Sequence, residues 1–388
     1  MLSIGNLKFA RRTMMAFVMA AMIAAMAAPM ANKAHADASV YYVGGAGASD
    51  DNPGTASAPF ATIQKAASVA AAGDTVKIRE GTYRETVTPI HSGTEGQPIV
   101  YEPDGDAVVT ISGADVADGD WVPYSGHIYK LTIPMTNGYH DNMTDNGTLL
   151  ANQVFVDGKM MIEARWPNVS DSDDLMNRAD WRPVADSAWE KTDGGMKVTD
   201  AAIPDIPGGW AGGQLWLTGW YVSQTRTIAG HTGTELTLSG GEIADNKREF
   251  YYLTGKLGAL DAAKEWHYDG TDLYLWAPDD NRPEGVEVKA RNYAFDLSGK
   301  SHITLNNLRI FAASILSDES SSHLTIDGLK ARYINHGVTL TDEDVIYTHM
   351  DQTGIRLIGP DSIIRNSTVA YSSNMGIVLG EGNVADNN

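Results

Sequence analysis

Ile303-Thr304-Leu305-Asn306-Asn307-Leu308-Arg309-Ile310 is followed by Leu324-Thr325-Ile326-Asp327-Gly328-Leu329-Lys330-Ala331, then by Ile363-Ile364-Arg365-Asn366-Ser367-Thr368-Val369-Ala370 and Val384-Ala385-Asp386-Asn387. Each segment is short, rich in β-branched residues and broken at an Asx residue, as a strand ending in a turn would be. Setting Asn306, Asp327, Asn366 and Asn387 at one position gives a repeat of 327 − 306 = 21 residues, found again as 387 − 366 = 21. A fixed period of this kind marks a chain in which each unit stacks on the one before. Its length fits one coil, with strands about 4.8 Å from those of the neighbouring coil. Asx at one position predicts a ladder inside a turn, in which side-chain amides bond coil to coil. Gly337-Val338-Thr339-Leu340, Gly354-Ile355-Arg356-Leu357 and Gly376-Ile377-Val378-Leu379 read as a second stacked strand set. The sequence stops at Asn388 in mid-repeat, so further coils and a closing segment are expected beyond it.

Towards the N-terminus, Val40-Tyr41-Tyr42-Val43 reads as a strand and Thr75-Val76-Lys77-Ile78 as another. Between them, Phe60, Ile63, Ala66, Ala67 and Ala70 share one helical face, stopped by Gly73-Asp74. An amphipathic helix here would cover the open apolar end of a stack. Tyr41-Tyr42-Val43, Asp50-Asp51-Asn52-Pro53-Gly54-Thr55, Pro59-Phe60-Ala61-Thr62-Ile63-Gln64-Lys65-Ala66 and Gly81-Thr82-Tyr83-Arg84-Glu85 resemble the N-terminal cap and first coil of secreted right-handed parallel β-helix proteins. That pectin-lyase-like group includes polysaccharide lyases and several glycoside hydrolases. The resemblance spans roughly residues 40–113. It implies an all-β fold: a right-handed parallel β-helix with an N-terminal capping helix.

The character then changes. All nine Trp fall between Trp121 and Trp276. Trp- and Tyr-rich strand segments such as Gln214-Leu215-Trp216-Leu217 predict an inserted, sandwich-like β domain over 121–285. Gln153-Val154-Phe155-Val156-Asp157-Gly158-Lys159, Glu163-Ala164-Arg165-Trp166-Pro167 and Glu265-Trp266-His267-Tyr268-Asp269 resemble the insertion of certain bacterial β-helix glycoside hydrolases, xylan- and fucoside-cleaving members among them. The expected order is therefore a signal peptide (1–36), a cap with first coils (37–120), the insert (121–285) and resumed coils (286–388).

Lys8, Arg11 and Arg12 precede an apolar run over 14–30, and Ala34-His35-Ala36 supplies a small-x-small site. This reads as a bacterial export signal cut after Ala36, leaving a secreted, extracellular chain with no membrane span. Cleavage removes Lys8, Arg11, Arg12 and Lys33, so 29 − 4 = 25 basic residues face 49 acidic ones, a net charge of −24. Such a surface repels phosphate backbones, which argues against nucleic acid as a partner. The absence of Cys excludes disulfides and thiolate metal sites.

Glycosidic hydrolysis needs two carboxyl groups. The densest acidic stretch of the repeat region holds Asp342 and Asp344, with Asp351 nearby and Glu381 between two glycines. Aligning Gly337 with Gly376 sets Asp342 opposite Glu381. One coil apart, about 5 Å, suits a retaining pair; two coils, about 10 Å, approach the inverting range. Arg356 and His336 are expected to bind substrate, and Trp166 and Trp220 to stack on sugar rings, as could Trp216. The same residue types also serve as solvated turns and aromatic core. The reading is a secreted glycoside hydrolase acting on a polysaccharide, without a cofactor. Two alternatives stay open: a Ca²⁺-dependent polysaccharide lyase, with Lys330, Arg332, Arg356 or Arg365 as base, and a non-catalytic surface protein. No compact Asp-rich Ca²⁺ motif is present.

Overall fold

The computed structural model describes residues 38–135, 153–169, 171–175, 177–185, 188–219, 222–240, 243, 248–335, 354–372 and 375–388. Their regular structure is nearly all β, with a single α-helix, α1 (Ile63–Val69). Helix α1 buries Ile63, Ala66 and Ala67 on one face, as the spacing predicts. Its N-terminus is satisfied twice. The Thr62 hydroxyl accepts from Lys65 N–H at 3.1 Å, and the Glu85 carboxylate accepts from Ile63 and Gln64 N–H at 2.9 and 2.8 Å.

Seven strands form one wholly parallel sheet: Val40–Val43, Thr75–Ile78, Ile99–Pro103, Ile303–Asn306, Thr325–Asp327, Ile363–Arg365 and Val384–Asp386. A second parallel sheet follows Gly81–Tyr83, Val109–Ser112, Arg309–Phe311, Lys330–Asn335 and Thr368–Ser372. A third set pairs Tyr293–Asp296 with Ser314–Leu316 and Ile355–Leu357 with Ile377–Leu379, again in parallel. From residue 293 onward the chain visits the sheets in rotation, one strand in each per rung. The interior is a ladder of register partners. Val76, Tyr101, Leu305, Ile326 and Ile364 are all 0–1% exposed. Outward, Lys77, Glu102, Asn306, Asp327, Arg365 and Asp386 form a polar row, tied by Lys77–Glu102 at 2.6 Å and Arg365–Asp327 at 2.8 Å.

Register corrects part of the repeat alignment. Asn306 does pair with Asp327, but Asp327 pairs with Arg365, and Arg365 with Asp386. Asn366 and Asn387 belong one residue later, with Asn307 and Gly328. All four have left-handed φ, between 51° and 67°. The cause is conformational, because Asn and Gly tolerate the left-handed region that this corner demands. The ladder from Asn387 Nδ2 to Asn366 Oδ1 and from Asn366 Nδ2 to Asp327 Oδ1, both 2.8 Å, lies on the exposed side. The amides that brace the turns from within are Asn383 and Asn388. Their Oδ1 atoms accept from Ser362 and Ser367 N–H at 2.7 and 2.9 Å.

Left-handed residues recur every fifth position around each rung: His302, Asn307, Ala312; His323, Gly328, Tyr333; Asp361, Asn366, Tyr371; then Gly382 and Asn387. They mark three corners. Both long excursions leave from the corner between the second and third sheets. Ile303 lies directly on Ile99 and Arg309 on Thr110, so residues 113–292 are an excursion within one rung. The second stretch inserted at that corner, 336–353 between Asn335 and Gly354, lies outside the described residues.

The first excursion is built mainly of antiparallel strands. Val286–Lys289 pairs antiparallel with both Ala114–Val116 and Val154–Val156, so parallel pairing resumes at Tyr293 and not at Val286. Val286 and Val288 pack with Val154 and Val156 in a core shared with Trp266 and Leu273. An eight-stranded sheet carries another core around Trp210, Leu215, Leu217, Tyr251 and Leu253.

Candidate active site

The corner from which both inserted stretches leave brings rings and charges together next to the stack. Ala312, Tyr333 and Tyr371 occupy it on successive rungs, with φ of 54°, 55° and 59°. A left-handed Tyr costs about 1–3 kcal/mol of backbone strain and persists only where its surroundings fix it. Here the rings stack, with centroids 4.8 Å apart and planes 21° apart, close to the spacing of the rungs that carry them. One carboxylate serves both: Tyr333 Oη donates to Asp173 Oδ1 at 2.9 Å and Tyr371 Oη to Asp173 Oδ2 at 3.3 Å. The Arg332 guanidinium lies 5.2 Å from the Tyr333 ring centre and 5.1 Å from that of Tyr371, within cation–π range. Burial and the Asp173 hydrogen bond push the Tyr333 phenol up to about 12, so it stays a donor at neutral pH. Asp173 is exposed beside the pair.

Behind the tyrosines lies a buried relay. Lys289 Nζ, at the end of Val286–Lys289, donates to Ala312 O at 2.9 Å and to Gln153 Oε1 at 3.3 Å. Gln153 Nε2 donates to Tyr333 O at 3.2 Å. The excursion thus grips the corner carbonyls of two rungs. Lys289 is 2% exposed, and burial lowers its ammonium to about 7. A neutral amine has two N–H donors, matching the two acceptors it meets. Phe155 packs over Phe311 and Tyr333, with centroids 4.6 and 5.5 Å away.

A second aromatic row sits on the eight-stranded sheet. Trp216 stacks on Tyr252 at 5.8 Å and 6°, and the buried Arg165 guanidinium lies 3.7 Å from the Tyr252 ring centre. Glu265, 1% exposed, accepts from Arg165, Asp261 and Ala262 N–H at 3.4, 3.1 and 3.2 Å. Burial outweighs these donors and raises its carboxyl to about 8. Its partners are all backbone amides, which makes it a fastener of the sheet edge.

Of the residues expected from sequence, Arg356, Glu381 and Trp166 are among those described. Arg356 is central in Ile355–Leu357, half-buried, with an Nε that meets no acceptor. Its charge lowers the Tyr293 phenol, which burial raises more. Glu381 is exposed on the turn after Ile377–Leu379, three residues beyond Val378, the register partner of Arg356. Trp166 is half-buried against the antiparallel core, 6.3 Å from the Tyr251 ring. Asp342, Asp344, Asp351, His336 and Trp220 lie outside the described residues. Arg365 is bound to Asp327, whereas Arg332 is at the corner. Sequence reading missed Tyr333, Tyr371, Asp173, Lys289 and Gln153. The pattern could have found the tyrosines: each stands five residues after a left-handed Gly or Asn, at 333 − 328 and 371 − 366.

Among the described residues, no group of three or more His, Asp or Glu side chains could hold a metal ion, and no helix is long and apolar enough to cross a membrane.

A family described as a protein of unknown function, DUF1565, matches residues 46–152. Over 73 residues the chain is 49% identical to the Uncharacterized protein YwoF of Bacillus subtilis (strain 168), a match that spans 19% of this chain and 16% of that protein. Among solved structures, one titled "Glycoside hydrolase" is similar at a TM-score of 0.54 and 16% identity, covering 85% of this chain and 73% of that one. This likeness concerns the fold. A structure titled "The complex structure of XylC with xylose" aligns at a TM-score of 0.42 and 16% identity, over 84% of this chain and 50% of that one.

Proposed function

We propose that the chain is an exported glycoside hydrolase built on a right-handed parallel β-helix, with residues 1–36 removed as a signal peptide and the Trp-rich stretch forming an inserted domain. The observation that carries this reading is the Tyr333–Tyr371 stack, with Arg332 and Asp173, at the corner where both excursions leave. Aromatic rings beside a cation and a carboxylate suit a pyranose, whose apolar face stacks while its hydroxyls bond to the charged groups. In this reading the Tyr333–Tyr371 corner receives the sugar, and Arg332 and Asp173 orient it. The acid and the nucleophile or base come from Asp342, Asp344, Asp351 and Glu381, three of which the chain supplies between Tyr333 and Gly354. The acidic net charge favours a neutral glycan over a polyuronate. The fold likeness to a structure titled glycoside hydrolase lends support.

The test is a screen of the purified protein on xylan, fucosylated glycans and pectate, with and without chelator. The reading expects reducing sugar from a neutral glycan, unaffected by chelator. Chelator-sensitive release of an unsaturated uronate would make it a lyase. Binding with no product from any substrate would make it a surface protein.

A further inference from the structure

A second site lies away from the stack corner. A cleft of about 780 Å³ opens between the turn at Asp157 and the 277–285 loop, and its wall includes Tyr129, Asp157, Asp279, Asn281, Arg282 and Glu284. Its size falls in the range of pockets that hold small ligands. Local geometry builds it. Asp157 and Gly158 are both left-handed, at 49° and 72°, the pattern of the tight hairpin turn between Val154–Val156 and Lys159–Met160. Gly285, at φ 60°, lies against that turn: a Cβ there would fall 2.4 Å from Asp157 Oδ1. On the opposite side, Asn281 donates to both the carbonyl and the carboxylate of Asp279, which fixes the loop. Arg282 Nε donates to Trp121 O at 3.3 Å, which holds the guanidinium stem in place.

We propose that this cleft binds a neutral oligosaccharide as an accessory subsite of the same protein. The assignment rests on the carbohydrate reading above and names its substrate class. Three carboxylates, an amide and one guanidinium offer acceptors and donors that a row of vicinal hydroxyls can satisfy together. Tyr129 adds a half-buried ring for a sugar face. With Asp157, Asp279 and Glu284 against Arg282 alone, the wall repels uronates and phosphates. The three carboxylates do not form a group able to hold a metal ion.

The experiment is calorimetric titration of the full chain with xylotriose, cellotriose, trigalacturonate and CaCl₂, repeated with Asp157→Asn and Glu284→Gln. Both residues are exposed, so both variants should melt as the parent does. A neutral trisaccharide is expected to bind, with affinity at least tenfold weaker in each variant. Equal affinity in parent and variants, preference for the uronate, or Ca²⁺ uptake lost in Glu284→Gln would each overturn the assignment. Hydrolysis is followed in parallel. Product formed with no saccharide held in the cleft overturns this site alone. Saccharide held in the cleft with no product overturns the hydrolase reading alone.

Discussion

Tyr333 and Tyr371, on neighbouring rungs, stack at 4.8 Å and donate to the two oxygens of a single carboxylate, Asp173. The carboxylate comes from the antiparallel excursion and the rings from the parallel stack, so the contact ties the two together where both present polar groups to solvent. Removing Asp173 leaves Tyr371 without that anchor and takes away one sugar-bonding group. Asp173→Ala is expected to lower kcat/KM for a neutral oligosaccharide by roughly tenfold or more, about 1.4 kcal/mol of transition-state binding. Because the buried Tyr333 hydroxyl also loses its acceptor, stability should fall as well, and Asp173→Asn, which keeps an acceptor oxygen, is the control that separates the two effects. Unchanged kinetics would separate this corner from catalysis.

Lys289 supplies a pH dependence of stability. Its ammonium falls from 10.5 to about 7 on burial. Between these values the unfolded chain binds the extra proton, so stability rises with pH over that window and gains nothing more from this group below it. Lys289→Met should flatten the difference in urea-unfolding free energy between pH 7 and 10. The same slope in parent and variant would contradict a desolvated amine.

Glu265 acts in the opposite sense. Its carboxyl rises from 4.5 to about 8 on folding. The folded chain therefore holds the extra proton between those values, and the contribution is complete below pH 4.5 and lost as pH rises through 8. Glu265→Gln should remove that decline in stability, read by thermal melts across the same window. A parent protein whose stability does not fall there would show that the three backbone donors win over burial.

Tyr101 lies at the centre of the stack with a hydroxyl that meets no hydrogen-bond partner, its ring edge-on to Phe295 at 5.6 Å. An unsatisfied buried hydroxyl costs about 1–3 kcal/mol. Tyr101→Phe keeps the ring and should raise stability by about 1 kcal/mol in chemical denaturation. A loss of similar size would mean that the hydroxyl is satisfied in solution.

The stacked strands were legible because their inward residues alternate and their turn residues recur at fixed spacing. Val76, Leu305, Ile326 and Ile364 could be placed by pattern alone. What the pattern blurred was a one-residue choice at the corner. Asp327 and Asn366 are both Asx, yet one ends a strand and the other takes the left-handed turn, and only backbone geometry separates them. The aromatic corner was hidden for a different reason. Asp173 and Tyr371 come from separate stretches of chain joined only by tertiary packing. Nothing in the sequence marks Lys289, because its buried partners, Gln153 and the Ala312 carbonyl, come from distant stretches of chain. The Trp-rich segment was legible as β, but Trp166 was not separable from Trp216. Alternation puts one against the core and the other on the opposite face of the sheet.

The most direct measurement is a crystal structure of the protein soaked with a neutral oligosaccharide from the substrate screen. The account predicts a sugar at the Tyr333–Tyr371 corner, with hydroxyls within hydrogen-bond reach of Arg332 and Asp173. A saccharide bound elsewhere, with the Tyr333–Tyr371 corner left bare, would contradict it.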